Sequence, residues 1–136
     1  MHNKQHQVTA EQIIEFAQQF DPQPFHTNEE QAKSSFFKGL VASGWHTAAI
    51  TMKLIVASDA KPAGGLIGAG VDKLRFNQAV RPGDSLQAKV TVIEAKASSS
   101  KPEQGLITIA VSATNQEQQE VCSYVSTIVV PKRPNT

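Results

Sequence analysis

Alternation of apolar and polar residues in the second half of the chain constrains the fold more than any other feature. It is clearest in residues 86–92 and 107–113. Residues 121–130 are rich in β-branched side chains, and residues 71–76 form a shorter candidate strand. Such runs place apolar side chains on one face of a sheet. Because turn-forming residues separate the runs and no helical pattern lies between them, the sequence predicts an antiparallel meander.

The first half of the chain has a helical periodicity instead. Thr9 and Gln12 match a capping box, in which the threonine hydroxyl accepts from a free amide and the glutamine reaches back. The residues that follow form the apolar stripe of a surface helix: Ile13, Phe16, Ala17 and Phe20. Residues 21–26 contain two prolines, which predict a stiff, extended loop. Thr27 and Glu30 are a second possible capping box, which opens a short helix through Ala32.

A longer helix is predicted from about residue 44 to about residue 56. Most of its circumference is apolar, as is typical of a buried helix. Its main stripe consists of Trp45, Ala48, Ala49, Met52, Ile55 and Val56, with Ile50 and Leu54 beside it. The chain is therefore expected to be a single α+β domain over residues 1–136, with an antiparallel sheet that curls around this helix. An open sheet edge and a small core favour pairing with a second copy.

Composition and charge limit the partners of the chain. The 136 residues carry a formal net charge of +1 and include 18% charged residues, with no basic stripe for nucleic acid. The single Cys122 excludes an internal disulfide framework, and the N-terminus lacks the apolar segment of a signal peptide. The four histidines do not have the spacing of a metal site. A cytoplasmic protein with no membrane or metal partner is expected.

Asp21 and His26 are the strongest candidates for chemistry. They place a carboxylate and an imidazole five residues apart on the segment stiffened by proline. An enzyme that adds water needs a group that takes a proton and a group that returns one, and both side chains can do so. The same pattern also fits a structural role, in which Asp21 ends the first helix and His26 packs beside Phe25. The local pattern leaves both interpretations open.

Residues 20–32 resemble a family signature. Phe20-Asp21-x-Gln23-Pro24-x-His26, followed by Ala32, resembles the Asp-x-Asn-Pro-x-His motif of the MaoC-like, R-specific enoyl-CoA hydratases. Residues 39–47 resemble the loop and the start of the central helix of that family's acyl dehydratases. Residues 71–76 and 80–84 resemble its next strand and turn. The resemblance extends in the same order from about residue 9 to about residue 130.

The resemblance implies a hotdog fold, a homodimer or dimer-based oligomer, and a substrate that is an acyl thioester of coenzyme A or acyl carrier protein. It implies that Asp21 and His26 are the catalytic dyad and that no cofactor is needed. The family's usual asparagine is Gln23 here, and the histidine that many members carry before the matched Gly44 is Ser43. These departures bear on substrate choice more than on the type of reaction.

Gly44 is expected to begin the buried helix. Its free amide would suit a negative charge that develops on a thioester oxygen. The alternative interpretation is that the glycine serves only close helix–sheet packing, and the sequence leaves both open. Ser43 is expected to cap the helix. We expect Ser43, Trp45, Gln23 and Phe25 to contact the substrate.

The implied reaction is reversible hydration of a trans-2-enoyl thioester to the (R)-3-hydroxyacyl thioester. A hotdog thioesterase is the alternative enzyme, but many of these carry an acidic residue on the central helix, and no Asp or Glu occurs between residues 34 and 58. A hotdog protein that binds acyl thioesters without catalysis is the second alternative. The glycine-rich residues 64–70 precede a strand and lack the lysine of a P-loop, so a loop beside the site is expected there.

Overall fold

The computed structural model describes residues 5–58, 67–97 and 104–131. Within these ranges the elements follow one another as β1 His6–Gln7, α1 Ala10–Phe20, α2 Pro24–Thr27, α3 Glu29–Lys33, α4 Gly44–Ala57, β2 Ile67–Arg75, β3 Ser85–Ala97, β4 Gln104–Thr114 and β5 Glu120–Pro131. This order confirms the α+β class. The helices in these ranges are all too short or too polar to cross a membrane.

The strands form one antiparallel sheet in the order β1-β3-β4-β5-β2. The predicted meander is confirmed for β3, β4 and β5, but it is wrong for β2, which pairs with β5 at the far edge. The connection from β2 to β3 must therefore cross the end of the sheet. Backbone bonds hold it there, from the Asn77 amide to the Val121 carbonyl (3.0 Å) and from the Ala42 amide to the Val80 carbonyl (2.8 Å).

Helix α4 packs against the concave side of the sheet, in the hotdog arrangement. Its buried residues are His46, Thr47, Ile50, Thr51, Leu54 and Ile55. The predicted stripe is only partly buried: Ile55 is buried, whereas Trp45, Met52 and Val56 are 60%, 45% and 43% exposed. Because apolar residues cover most of the circumference of this helix, their periodicity does not show which face is buried. The buried threonines Thr47 and Thr51 hydrogen-bond to carbonyls one turn earlier, which lowers the cost of burying their hydroxyls.

The N-terminus of α1 is capped as predicted, because the Thr9 hydroxyl accepts from the Gln12 amide at 3.2 Å. The reciprocal half of the capping box is not formed. The Gln12 side chain instead makes a hydrogen bond with the ring of His6, which lies in β1 (3.1 Å). This strand of two residues pairs with Leu86 and Ser85 at the start of β3. It fixes the chain that leads into α1.

The segment after α1 differs from the prediction in two respects. It is extended only as far as Gln23, and Pro24 opens the single helical turn of α2, which includes Phe25 and His26. Proline suits the first position of a helix, where its missing amide hydrogen is not needed. The cap of α3 is Asn28 rather than Thr27, since the Asn28 side chain accepts from the backbone amide three residues later at 2.9 Å.

The glycine-rich segment is also corrected in part. Residues 67–70 belong to β2 rather than to a loop, while residues 64–66 lie outside the described part of the chain. Residues 98–102, one of the turn-forming segments that separate the predicted strands, also lie outside it. Strand β2 is interrupted by register shifts between Gly68 and Gly70 and between Asp72 and Arg75. Such bulges twist the edge of a sheet.

Candidate active site

Asp21 is held at the end of α1 by its backbone and at both carboxylate oxygens by its neighbours. Its amide donates to the Ala17 carbonyl at 2.8 Å and so ends the helix. Its Oδ1 accepts from the side-chain amide of Gln23 at 2.6 Å, and its Oδ2 accepts from the hydroxyl of Ser43 at 2.7 Å. Asp21 therefore does end the first helix, as the structural interpretation predicted. Its carboxylate is in addition held in place and partly exposed.

His26 is a buried side chain on α2 whose ring is fixed by a backbone carbonyl. Its Nδ1 lies 2.7 Å from the oxygen of Val41, which can only accept, so Nδ1 carries a hydrogen. In the neutral ring Nε2 then has a free lone pair, and it lies 3.4 Å from Oδ2 of Asp21. The edge of the ring also meets Phe25 (centroids 4.6 Å apart, 78° between planes). The structure thus brings Asp21 and His26 together.

The surroundings of Asp21 favour its charged form. Partial burial by itself raises the pKa of this carboxyl. The hydrogen bonds from Gln23 and Ser43 and the nearby His26 together outweigh that effect, so the pKa lies below its ordinary value of 3.8. Asp21 is therefore a carboxylate at neutral pH. A carboxylate with this pKa is a weak base that is suited to stabilising a positive charge on His26.

Gly44 is the first residue of α4, and its amide is free. The cap prediction for Ser43 is confirmed, because its hydroxyl accepts from the Trp45 amide at 3.2 Å. Within residues 5–58, 67–97 and 104–131 the amide of Gly44 has no hydrogen-bond acceptor. A Cβ at this position would come within 2.6 Å of the ring of Phe76. The absent side chain thus allows an aromatic ring to lie against the N-terminus of the helix.

A cavity of about 330 Å³ joins these groups. It is lined by Asp21, Gln23, Phe25, His26, Phe37, Val41, Ala42, Gly44, Trp45, Thr47, Phe76, Gln78, Ala79 and Val80. Six of the seven residues expected at the site therefore line one cavity. The exception is Ser43, which is completely buried behind Asp21. Its hydroxyl donates to the carboxylate of Asp21 and Ser43 does not line the cavity, which speaks against the expected contact with a substrate.

Phe37 and Phe76 are cavity residues that the sequence analysis did not identify. Phe37 lies in an irregular segment between α3 and α4, where no periodicity marks a functional side chain. Phe76 follows the last residue of β2, and its ring meets Trp45 at 6.1 Å between centroids. In the sequence, the one available sign of Phe76 was the turn at residues 80–84. This turn brings the β2–β3 connection, which contains Phe76, to the site.

His46, which belongs to α4, packs against α1 behind the site. Its ring is buried and stacked on Phe16 of α1, with 4.6 Å between centroids and 8° between planes. Among the described residues, its Nδ1 has no hydrogen-bond partner. Burial, and to a smaller extent the proximity of His6, lowers the pKa of His46 below its ordinary value of 6.5. A neutral His46 therefore joins α1, which ends at Asp21, to α4, which begins at Gly44.

Comparison with known sequences places this chain among relatives. Residues 1–117 match the sequence profile of the family described as "MaoC like domain". The chain belongs to the MaoC-like domain family. The crystal structure of a MaoC-like dehydratase from Rhodospirillum rubrum superposes with a TM-score of 0.91 at 45% identity, covering 97% of this chain and 90% of that one. This agreement confirms the hotdog fold.

Other similar proteins have lower sequence identity. The R-hydratase PhaJ1 from Pseudomonas aeruginosa superposes with a TM-score of 0.77 at 25% identity, covering 96% of this chain and 79% of that one. The uncharacterised protein YdeM from Bacillus subtilis is 32% identical over 84% of this chain and 79% of its own length. Mesaconyl-CoA hydratase from Haloarcula marismortui is 34% identical over 58% of this chain, which spans only 22% of that protein. These likenesses support a hydratase or dehydratase.

Proposed function

We propose that this protein hydrates trans-2-enoyl thioesters reversibly to (R)-3-hydroxyacyl thioesters. The observation that carries the proposal is the pair Asp21–His26, with Nε2 and Oδ2 separated by 3.4 Å at the wall of a largely apolar cavity. A water molecule that donates one hydrogen to each of these atoms would present its oxygen lone pairs to the cavity. The named hydratases among the relatives support the same reaction class.

In this proposal His26 moves the proton. As the water oxygen bonds to C3, its proton passes to Nε2, whose lone pair is free because Nδ1 donates to the Val41 carbonyl. The electrons of the C2=C3 bond move to C2 and the thioester oxygen. The imidazolium that forms is stabilised by Asp21, and it then returns a proton to C2, which completes the addition of water. Asp21 remains a carboxylate throughout, as its lowered pKa favours.

The free amide of Gly44 is suited to the thioester oxygen. It is the first amide of a helix of 14 residues, so the positive end of the helix dipole adds to its hydrogen bond. Charge develops on the oxygen only as water attacks C3, and a donor fixed in advance stabilises that state selectively. Loss of one such donor typically lowers kcat about a hundredfold or more. Trp45 and Phe76 flank this position and would shield it from water.

The dyad is tested by the loss of absorbance of crotonyl-CoA on addition of the purified protein. We expect Asp21→Asn and His26→Asn each to reduce kcat/KM by at least about a hundredfold, because an amide in place of His26 cannot take the proton from water and an amide in place of Asp21 carries no charge to stabilise the imidazolium. Asp72→Asn is the matched control, because Asp72 is exposed on β2 away from the cavity. If either dyad variant retained wild-type turnover with an intact fold, the assignment would be wrong.

A thioesterase is the alternative that must be separated. Water would then have to attack the carbonyl carbon itself, and α4 carries no carboxylate that could direct it there. We expect no release of thiol from saturated butyryl-CoA above background, measured with a thiol-reactive dye. Release that depends on the enzyme and survives Asp21→Asn would favour the thioesterase.

We also propose that the active form is a homodimer. The outward face of α4 exposes Trp45, Met52 and Val56, and Phe76 beside it is 45% exposed. Strand β2 bonds only to β5 within the described chain, so its other edge has free backbone groups. A second copy that covers this face would bury apolar surface next to the cavity. Both features support the pairing that the family resemblance implies.

A further inference from the structure

If the proposed function holds, the site gives the substrate a direction. The thioester oxygen lies at the Gly44 amide, and the attacked C3 lies at Nε2 of His26. With the oxygen and C3 placed in this way, the acyl chain beyond C3 would extend past His26, on the side away from Gly44. Phe25, whose ring meets that of His26, and Phe37, whose ring meets that of Phe25, both line the cavity.

Phe37 continues a row of aromatic rings that starts at the dyad. The centroids of His26 and Phe25 are 4.6 Å apart, those of Phe25 and Phe37 are 5.2 Å apart, and those of Phe37 and Phe36 are 5.2 Å apart. Phe37 lines the cavity and is half-buried, whereas Phe36 is 90% exposed and does not line it. A chain that extends beyond His26 along this row would therefore meet Phe37.

Arg81 holds the backbone at Phe37 through a hydrogen bond from the β2–β3 connection. Its guanidinium donates to the Phe37 carbonyl at 2.8 Å, and its own backbone amide donates to Asp84 at 2.9 Å within the β2–β3 turn. A Cβ at Gly39 would lie 3.1 Å from the guanidinium, so the glycine leaves room for this contact. Lys38, between Phe37 and Gly39, has a φ of 58°, in the left-handed region that few side chains adopt. The segment is thus held in a defined conformation.

We propose that Phe37 determines substrate specificity by limiting the acyl group to a short chain, and that Arg81 is the residue that positions it. Four-carbon enoyl thioesters are then good substrates and eight-carbon ones are poor. Discrimination by a single methylene group in an apolar pocket spans about 10- to 200-fold, so a chain four carbons longer is strongly rejected where the wall cannot move.

The first test compares crotonyl-CoA with trans-2-octenoyl-CoA. We expect Phe37→Ala to raise the ratio of kcat/KM for the longer over the shorter substrate by at least about tenfold. Phe36→Ala is the matched control, since it removes a neighbouring ring outside the cavity, and its ratio should equal that of the wild type. An unchanged ratio in folded Phe37→Ala overturns the inference, while turnover of crotonyl-CoA by the wild type still supports the proposed function.

The second test concerns Arg81. Arg81→Met keeps the aliphatic stem but cannot donate, so we expect it to lower KM for the longer substrate while kcat for crotonyl-CoA stays unchanged. Arg81→Lys retains a donor and should restore the wild-type ratio. A loss of stability without this change in KM would mean that Arg81 is only structural, and it would refute the positioning role.

Binding gives a readout that does not require turnover. Trp45 is the only tryptophan in the chain and lines the cavity, so its fluorescence reports occupancy. We expect the wild type to bind butyryl-CoA at least about tenfold more tightly than octanoyl-CoA, and Phe37→Ala to reverse or remove this preference. Equal affinities in the wild type would refute the inference whether or not the protein proves to be a hydratase.

Discussion

Ser43→Ala tests how the site is held together. The hydroxyl of Ser43 is completely buried and makes two contacts, as donor to Oδ2 of Asp21 at 2.7 Å and as acceptor from the Trp45 amide at 3.2 Å. Alanine is smaller than serine, so the substitution removes both hydrogen bonds without a steric clash. One residue therefore connects the carboxylate at the end of α1 with the start of α4.

The expected cost follows from these two contacts. A hydrogen bond to a charged group contributes about 1.5–3 kcal/mol, and loss of a helix N-cap costs about 1 kcal/mol. Water can replace part of the first contact, since the side chain of Asp21 is 18% exposed. We expect the free energy of unfolding to fall by about 2 kcal/mol at neutral pH, a large share of the 5–15 kcal/mol typical of a domain.

The pH dependence separates the charged contact from the cap. The folded pKa of Asp21 is below 3.8, so the stabilisation is present above that value and is lost as pH falls through the folded pKa. Ser43→Ala raises this pKa. The loss in the free energy of unfolding that it causes should therefore be largest at about pH 7 and smaller at about pH 3. Urea unfolding at both pH values measures the difference.

Ser35→Ala is the matched control, since its hydroxyl donates to the neutral carbonyl of Ala32 at 2.6 Å. Its cost should not depend on pH in this range. The double variant Ser43→Ala/Asp21→Asn should lose less than the two single variants added together, because they share one contact. A cost for Ser43→Ala below about 0.5 kcal/mol, or one that does not change with pH, would refute the reasoning.

Two further predictions concern His46 and the outward face of α4. Because burial lowers the folded pKa of His46, the unfolded chain binds the proton first, so the free energy of unfolding should fall as pH drops below about 6.5. His46→Phe, which keeps the stacking on Phe16, should make the free energy of unfolding, measured with urea, less dependent on pH. An unchanged dependence on pH would contradict the assignment of this effect to His46. The wild type should be a dimer by light scattering at micromolar concentration, and Met52→Glu should weaken association at least about tenfold, whereas a monomeric wild type would exclude the proposed interface.

Several features of the fold could be predicted from local sequence. The period-two runs identified β3, β4 and β5, because a strand repeats every two residues whatever surrounds it. The caps at Thr9 and Ser43 were also readable, since a cap needs only a side chain and an amide two or three residues later. Asp21 and His26 were found because they lie on one short segment with a recognisable spacing.

Other features were decided only by tertiary packing. The buried face of α4 could not be chosen, because apolar residues nearly encircle the helix and the buried Thr47 and Thr51 satisfy their own hydroxyls. The place of β2 beside β5 depends on a connection that crosses the sheet.

Long-range contacts within the site were equally hidden. Ser43 and Asp21 are 22 residues apart, and Arg81 and Phe37 are 44 residues apart. The Val41 carbonyl that fixes the His26 ring comes from a third segment. The periodicity of a local sequence reflects the backbone repeat of a helix or a strand. The contacts above arise only when the helix and the sheet pack and bring distant polar groups within hydrogen-bond distance. The sequence thus determined which groups are available for chemistry, and the tertiary structure decided which of those groups meet at one cavity.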